Sequence, residues 1–487
     1  MTINRDDLIY LLLAIIFAGA GAILISNPNI QIGLYIAVVI FAFGLVIAIY
    51  AKPNFGAVVL IVAVFTNVSR TFTDSGLPSV IKPLVAIVAF TILVRYINST
   101  RVPGGRFRTG GILTFLFFFF VVTAFSYLAA DDKLRAIDAI LDLGKDIVII
   151  FCILFTLRRP DTWKQSAWIV ILITTVLCLL GSYQVISGNY TQEFFGLARV
   201  VEDVGSDYTT YRIAGPIKEP NIWGQIVVAV VPLVIYRVIY EQRIRMKLFM
   251  VGALGILLFE VLNTYSRGAY IALAIVVILV LLRQRQNPLI WLFGSGAAIL
   301  VLFILPSSYR ERLQTLTLLT PTNQNGIYQE SSFRGRSSEM LTGLNMFAAN
   351  PFLGVGAGNY PNNYQEYTQS LGLEVRSGER DPHSLYVQIL AETGLLGAIA
   401  FIGFAALLLV NLTKVRQSIE DLPAYRNWMP WISAIQLTII GYLITSFFLH
   451  GAYLRYFWIF VALALSAMQL TEESLIDPDR NLSLEFA

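Results

Sequence analysis

The sequence predicts an all-α polytopic membrane protein. Of its 487 residues, 56% are hydrophobic and only 14% charged, against roughly 25% charged in a typical soluble domain. The apolar residues are also gathered into runs near the ~20 needed for a helix to cross the hydrocarbon core. This composition excludes a soluble globular enzyme, a disordered chain and a disulfide-stapled secreted module. Two cysteines and two histidines are too few for a zinc cluster built from those ligands. Cys152 and Cys178 lie in apolar runs, where cysteine serves as a small buried hydrophobe. A scattered net charge of +4 provides no nucleic-acid-binding surface.

Fourteen apolar runs qualify as spans: 8–26, 31–50, 55–69, 79–97, 111–129, 139–157, 166–186, 222–240, 247–264, 268–284, 288–305, 390–411, 429–448 and 454–470. The third and ninth are short or interrupted, so about 12–14 transmembrane helices are expected. The run 8–26 is too long for a signal h-region, lacks an A-x-A site and leads into another span, which reads as an uncleaved first helix. Loop charge alternates along the chain. One side carries 19 of the 35 Lys and Arg residues, including Lys52, Arg95, Arg158, Arg159 and Lys414. The other carries 16, nine of them in two long loops that weigh little in orientation. The short-loop bias of 19 to 7 predicts that both termini are cytoplasmic.

The chain then divides into N-terminal spans (1–186), a first long outer loop (187–221), further spans (222–305), a large outer loop (306–389) and C-terminal spans with a cytoplasmic tail (390–487). Loops this long are usually functional or disordered. In the second, Phe333, Met340, Leu344 and Phe347 recur at near-helical spacing until Asn350-Pro351 stops the run. An amphipathic helix over about 332–349, lying at the outer membrane interface, is expected. Arg334 and Arg336 sit at its start.

Four outer segments could carry chemistry. The first, Arg212 to Asn221, is a turn-rich loop leading into a helix, and it holds Arg212 and Lys218 near the membrane surface. The second, Asn263 to Tyr270, joins two apolar helices and has Arg267 as its only charge. A guanidinium so close to hydrocarbon is costly unless paired, and its planar fork matches phosphate oxygens. A snorkelling anchor is the plainer reading. The third, Pro351 to Tyr360, has three glycines but no Gly-Lys-Ser/Thr ending and follows no strand, so it is read as turns and close packing rather than a nucleotide loop.

The fourth segment runs from Asp381 to Gly397. Asp381 makes a good N-cap and Pro382 a good first helical residue, which predicts His383 in the first turn. The helix dipole there favours a neutral, proton-accepting imidazole, while Asp381 favours the charged form. Glu392 is nine positions on, across the helix, and makes a poor orienting partner. Gly394 and Gly397 indicate a close helix contact or the end of an interfacial segment. The other histidine, His450, reads as a residue apart from the site and a natural control for His383.

Taken together, these segments resemble the O-antigen ligase and polymerase superfamily over roughly residues 205–410. The R-x-x-G…P-N pattern appears as Arg212, Gly215, Pro220 and Asn221, and S-R-G as Ser266-Arg267-Gly268. The N-P-x-x-G-x-G-x-G pattern runs from Asn350, and H-[NS]-x-x-[LV]-Q-x-x-x-E-x-G-x-x-G spans His383 to Gly397, with Ser384 where the family usually has Asn. The resemblance implies a GT-C-type glycosyltransferase architecture in the bacterial cytoplasmic (inner) membrane. It implies a glycan donor linked to undecaprenyl diphosphate and, for a ligase, a lipid A–core acceptor; a polymerase would instead use another carrier-linked repeat. It implies a metal-independent, inverting transfer that needs no cofactor. Arg212 and Arg267 would hold the diphosphate and His383 would be the general base. Lys218, Arg334 and Arg336 are secondary candidates for the anion.

Elementary chemistry agrees with that expectation. A glycosyl diphosphate carries its own leaving group, and fixed guanidinium groups can neutralise it as it departs. An acceptor hydroxyl then needs a base within reach. A lipid-linked oligosaccharide flippase or transporter is the alternative class, but it would place ionisable residues near the midplane. Here Glu260 is the main residue so placed. A receptor or assembly scaffold would explain the long loops and leave the sparse Arg and His positions unexplained.

Overall fold

Among the described residues, the apolar runs of the sequence are helical. The computed structural model describes residues 43–74, 76, 79–98, 110–204, 209–288, 290–292, 294, 331–371 and 378–476. The expected span 8–26, most of 31–50 and most of 288–305, together with residues 306–330 of the second long loop, lie outside them. The described helices are α1 (43–51), α2 (Pro53–Phe65), α3 (Val68–Asp74), α4 (Ile81–Asn98), α5 (Gly110–Phe125), α6 (Lys133–Thr156) and α7 (Pro160–Ser187). A hairpin follows, β1 (Val200–Val204) and β2 (Thr209–Ile213), antiparallel with Val201 opposite Arg212. Then come α8 (Pro220–Tyr240), α9 (Ile244–Asn263), α10 (Arg267–Arg283), α11 (Ser331–Ala349), α12 (Tyr360–Ser370), α13 (Leu385–Ile419), α14 (Met429–Thr445) and α15 (Arg455–Ile476).

Among the described residues, six helices are long and apolar enough to cross a membrane: α5 with its short extension to Leu128, α7, α8, α9, α13 and α15. The protein is therefore an all-α polytopic membrane protein. The bent pair α2–α3 makes a seventh crossing if it is one span. Its 51° bend falls at Thr66-Asn67, where Asn67 takes φ +48° and donates from Nδ2 to the Pro216 carbonyl at 3.0 Å. The doubtful third span is thus broken, whereas the doubtful ninth is the continuous α9. Helix α6 begins earlier than its apolar run, because the Asp132 carboxylate caps the N–H groups of Leu134 and Arg135 at 3.1 Å each.

The core centres on α8, which is buried along most of its length and packs against α9 and α14. Its apolar side chains on all sides suit a helix enclosed by other helices. Three tryptophans brace the end where α7, α14 and α15 meet. The Trp163 ring lies edge-on to Trp428 at 5.0 Å and to Trp431 at 5.7 Å. The indole N–H of Trp163 donates to Leu463 O and that of Trp428 to Thr471 Oγ1, both at 2.8 Å, so neither buried donor is orphaned.

The amphipathic helix is present as α11, but its packed face is not the apolar one. Gly335, Ser338, Glu339, Thr342, Gly343 and Met346 are buried, whereas Leu341 and Leu344 point outward. Close approach explains the choice: a Cβ on Gly343 would lie 2.4 Å from the Val387 side chain of α13. The outward apolar stripe is the arrangement expected of a helix lying on a membrane surface.

Candidate active site

The hairpin brings Arg212 to the turn before Arg267. Its Nε donates to the Thr264 carbonyl and its Nη2 to Asn221 Oδ1, both at 3.0 Å. Asn221 is in turn held by Glu219 Oε1 at 2.9 Å. These two bonds orient the guanidinium fork. The R-x-x-G…P-N spacing thereby acquires a reason. Pro220 is the first residue of α8, and Gly215 (φ +54°) lies under Trp223, where a Cβ would be 2.5 Å from the indole.

Arg267 is the first residue of α10, and Ser266 caps that helix through the N–H of Ala269. A half-buried guanidinium at the positive end of a 17-residue helix favours an anionic ligand. One turn below, the buried carboxylate of Glu260 accepts from Trp223 Nε1 at 2.8 Å and Ser182 Oγ at 3.5 Å. Glu260 is thus committed to holding Trp223 beneath the Arg212 loop. Lys218 is exposed at a left-handed turn (φ +68°), which Arg70 clamps by donating to Ile217 O at 3.0 Å. Arg336 is half-buried on α11, and the side chain of Arg334 lies outside the described residues.

His383 is not in a helical turn. Ser384 occupies the N-cap position of α13, in extended geometry. The first N–H of the helix, from Leu385, goes to Ser446 O at 2.9 Å, so a neighbouring segment rather than Asp381 sets where the helix begins. His383 itself takes φ +47°, an unusual conformation for a residue with a side chain. Its Nε2 lies 3.6 Å from Glu339 Oε2 on α11. The Glu339 side chain is 2% exposed and that of His383 30%.

His450 is not a residue apart. Its ring stands edge-on to His383 at 5.6 Å, and its Nε2 lies 3.4 Å from Asp381 Oδ2. The chain's two histidines therefore form adjacent pairs with two carboxylates. The segment 446–454 carrying His450 is fixed to α13 by motif residues. Gln388 Oε1 accepts from the N–H groups of Gly451 and Ala452 at 2.9 and 3.0 Å, and Glu392 Oε2 accepts from the Tyr453 hydroxyl at 2.9 Å. Burial and then the Glu392 carboxylate push the Tyr453 phenol well above its ordinary range, so it serves as a donor. The same segment reaches the arginine turn, because Phe448 packs where a Cβ on Gly268 would lie, 2.7 Å from the Phe448 Cβ. Segment 446–454 thus touches both the Arg267 turn, through Phe448, and the His383–Glu339 pair, through His450.

The glycine loop supports this assembly. Helix α13 breaks at Gly394 (φ 65°, ψ −162°), and the loop docks on the break through Val355 N to Ala391 O at 2.8 Å and Leu395 N to Pro351 O at 2.8 Å. Side chains are excluded there: a Cβ on Gly354 or Gly394 would meet backbone at 2.4 Å. Asn359 fastens the loop's far end by exchanging bonds of 2.7 and 3.1 Å with the Asp132 backbone. The buried Tyr360 hydroxyl donates to the Glu339 carbonyl, which sets the height of α11 beside His383. At the rim, Arg135 grips Glu379 with bonds of 2.6 and 3.0 Å and holds that carboxyl below its usual range.

The arrangement can hold an anion at the arginines and accept a proton at the imidazole. Among the described residues, no group of three or more His, Cys, Asp or Glu side chains is placed to hold a metal ion. Sequence reasoning missed Glu339 and His450. The signal for Glu339 was the small and polar stripe of Gly335, Ser338, Thr342 and Gly343, which marks the packed face on which it lies.

No curated protein matches the chain. Residues 252–402, which include Arg267, the glycine loop and His383, match the family model described as O-Antigen ligase. The chain is a multi-pass membrane protein whose residues 252–402 are similar to the O-antigen ligase family.

Proposed function

We propose that the protein transfers a glycan from an undecaprenyl diphosphate carrier to an acceptor hydroxyl, as an O-antigen ligase does. The outer face of the cytoplasmic membrane is the expected setting, from the charge bias of the loops. The observation that supports this reading most strongly is the segment 446–454, which joins the Arg267 turn to the His383 pair through Phe448 and His450. Anion holding and proton acceptance then belong to one site.

In this mechanism Arg212 and Arg267 bind the donor diphosphate. His383 takes the proton of the acceptor hydroxyl as its oxygen attacks the anomeric carbon. The bond from that carbon to the diphosphate oxygen breaks, and the carrier diphosphate leaves with the electron pair. Its charge is met by the two guanidinium groups, of which Arg212 is already oriented by Thr264 and Asn221. Attack opposite the leaving group inverts the anomeric configuration. Glu339 orients the imidazole and stabilises the imidazolium that forms, and the His450–Asp381 pair supports the neighbouring ring edge.

The test is transfer by the purified protein in proteoliposomes, from a lipid-linked donor to lipid A–core, with EDTA present. The expected outcome is an inverted glycosidic bond, read by NMR, with carrier diphosphate released. Movement of intact donor across the membrane without bond cleavage would instead establish a flippase. In a null strain, a ligase predicts lipid A–core without long chains and accumulation of carrier-linked polymer. Products stopped at a single repeat would establish a polymerase.

A further inference from the structure

At the end of the bundle away from His383 lies a cavity of about 600 Å³, where α6 ends and α2 and α7 begin. Helix α7 runs 28 residues, or about 42 Å, from this cavity toward the hairpin of Arg212. The cavity is therefore separate from the proposed transfer site. Lys52, Arg95, Arg158 and Arg159 line it, with Asp161 as the one carboxylate in the lining.

Part of this cationic wall is built in. The Arg95 guanidinium donates to the carbonyls of Tyr50 and Ala51 at the end of α1. Arg158 pairs with Glu473 at 3.4 Å and lies over the Phe155 ring, and its Nε–H is buried without a partner among the described residues. The N-cap residues of α2 and α7 are Lys52 and Arg159, and neither makes a side-chain capping bond. The cavity thus faces two positive helix ends as well as four cations.

Two exposed apolar rows lead up to it: Ile47 and Tyr50 on α1, and Phe90, Leu93 and Ile97 on α4. Each follows the i, i+3, i+4 spacing of one helix face. A free phosphate would use the cations and leave both rows idle, whereas a phospholipid uses both features. We propose that this cavity binds the phosphate of an anionic phospholipid headgroup, with the acyl chains lying along the exposed rows of α1 and α4. Basic pockets between membrane helices are suited to such headgroups, and each basic residue adds to the attraction.

The experiment uses the full chain in nanodiscs of equal phosphatidylglycerol and phosphatidylcholine, released for native mass spectrometry. The wild type should retain phosphatidylglycerol selectively. Lys52→Glu with Arg159→Glu should lower that retention by about tenfold, the scale of a lost charge-assisted contact. Lys414→Glu with Arg426→Glu, exposed cations that do not line the cavity, should leave it unchanged. Thermal stability in phosphatidylcholine alone reports whether each variant folds, and Arg159→Gln replaces the double variant if it does not. Equal retention in all forms, or equal loss in both double variants, would overturn the proposal. Displacement of the lipid by low-millimolar inorganic phosphate would overturn it in favour of a soluble anion. Because Lys52 and Arg159 stand apart from the transfer residues, failure here leaves the proposed function untouched.

Discussion

Glu339→Gln probes the part of the site that only the fold reveals. The substitution keeps the shape of the side chain and leaves the Tyr360 hydroxyl bonded to the backbone carbonyl of residue 339, so α11 should stay docked. What it removes is a buried negative charge 3.6 Å from His383 Nε2. At an effective dielectric of 20, opposite unit charges at that distance attract by about 4–5 kcal/mol. The imidazole is 30% exposed, and solvent screening reduces this to on the order of 1–2 kcal/mol. Most of that attraction is felt as the imidazole takes up the acceptor's proton, so transfer should slow by about tenfold. The sign of the pH effect follows from the same charge. A carboxylate beside an imidazole favours its protonated form, and the protonated form cannot act as a base. Removing the carboxylate should therefore move the acid limb of the rate–pH profile to lower pH while lowering the plateau. The assay is initial-rate transfer from a lipid-linked donor between about pH 5 and 8, the range in which histidine titrates. An unchanged plateau and acid limb, in a variant with wild-type stability, would refute the role given to Glu339.

Three further outcomes are expected. Arg267→Lys keeps a charge but loses the planar fork, and Arg212→Gln breaks the bonds to Thr264 and Asn221; each should weaken donor binding by about 10–100-fold with normal membrane insertion, measured by donor titration. Parallel loss of expression and activity would mark them as structural anchors instead. Gly394→Ala forces a Cβ to within 2.4 Å of the Phe352 backbone at a conformation that favours glycine, and should cost about 2–4 kcal/mol, read as a fall in Tm in detergent. His450→Ala should lower transfer less than His383→Ala, and the double variant should lose less than the product of the two effects, because the rings are in contact. Full additivity would separate the two histidines.

Much of the helical frame was legible because a span needs only length and apolarity, and both are local properties. The expected boundaries 222–240 and 268–284 differ by a few residues from α8 and α10. Break points were less legible where they depended on distant partners: the α2–α3 bend is held by Pro216, 149 positions away. The arginines stood out because charge is scarce near hydrocarbon. The start of α13 was misplaced because good capping residues, Asp381 and Pro382, lost to a backbone bond from Leu385 to Ser446, which local propensity cannot see. Glu392 was rightly set aside as a partner for His383, yet its actual role, tying Tyr453 to α13, depends on a segment 61 residues away. His450 and Glu339 join His383 only through tertiary packing, and neither shares a local pattern with it.

The central claim is that His383 accepts the proton from an acceptor while the arginines hold the donor independently. The direct measurement is single-turnover transfer by His383→Ala in proteoliposomes, with donor binding measured on the same preparation. A lost general base should slow the chemical step by about 10²–10⁴-fold while donor affinity stays near wild type. Full transfer activity in His383→Ala would contradict the assignment, and loss of donor binding with activity would move His383 into the diphosphate site.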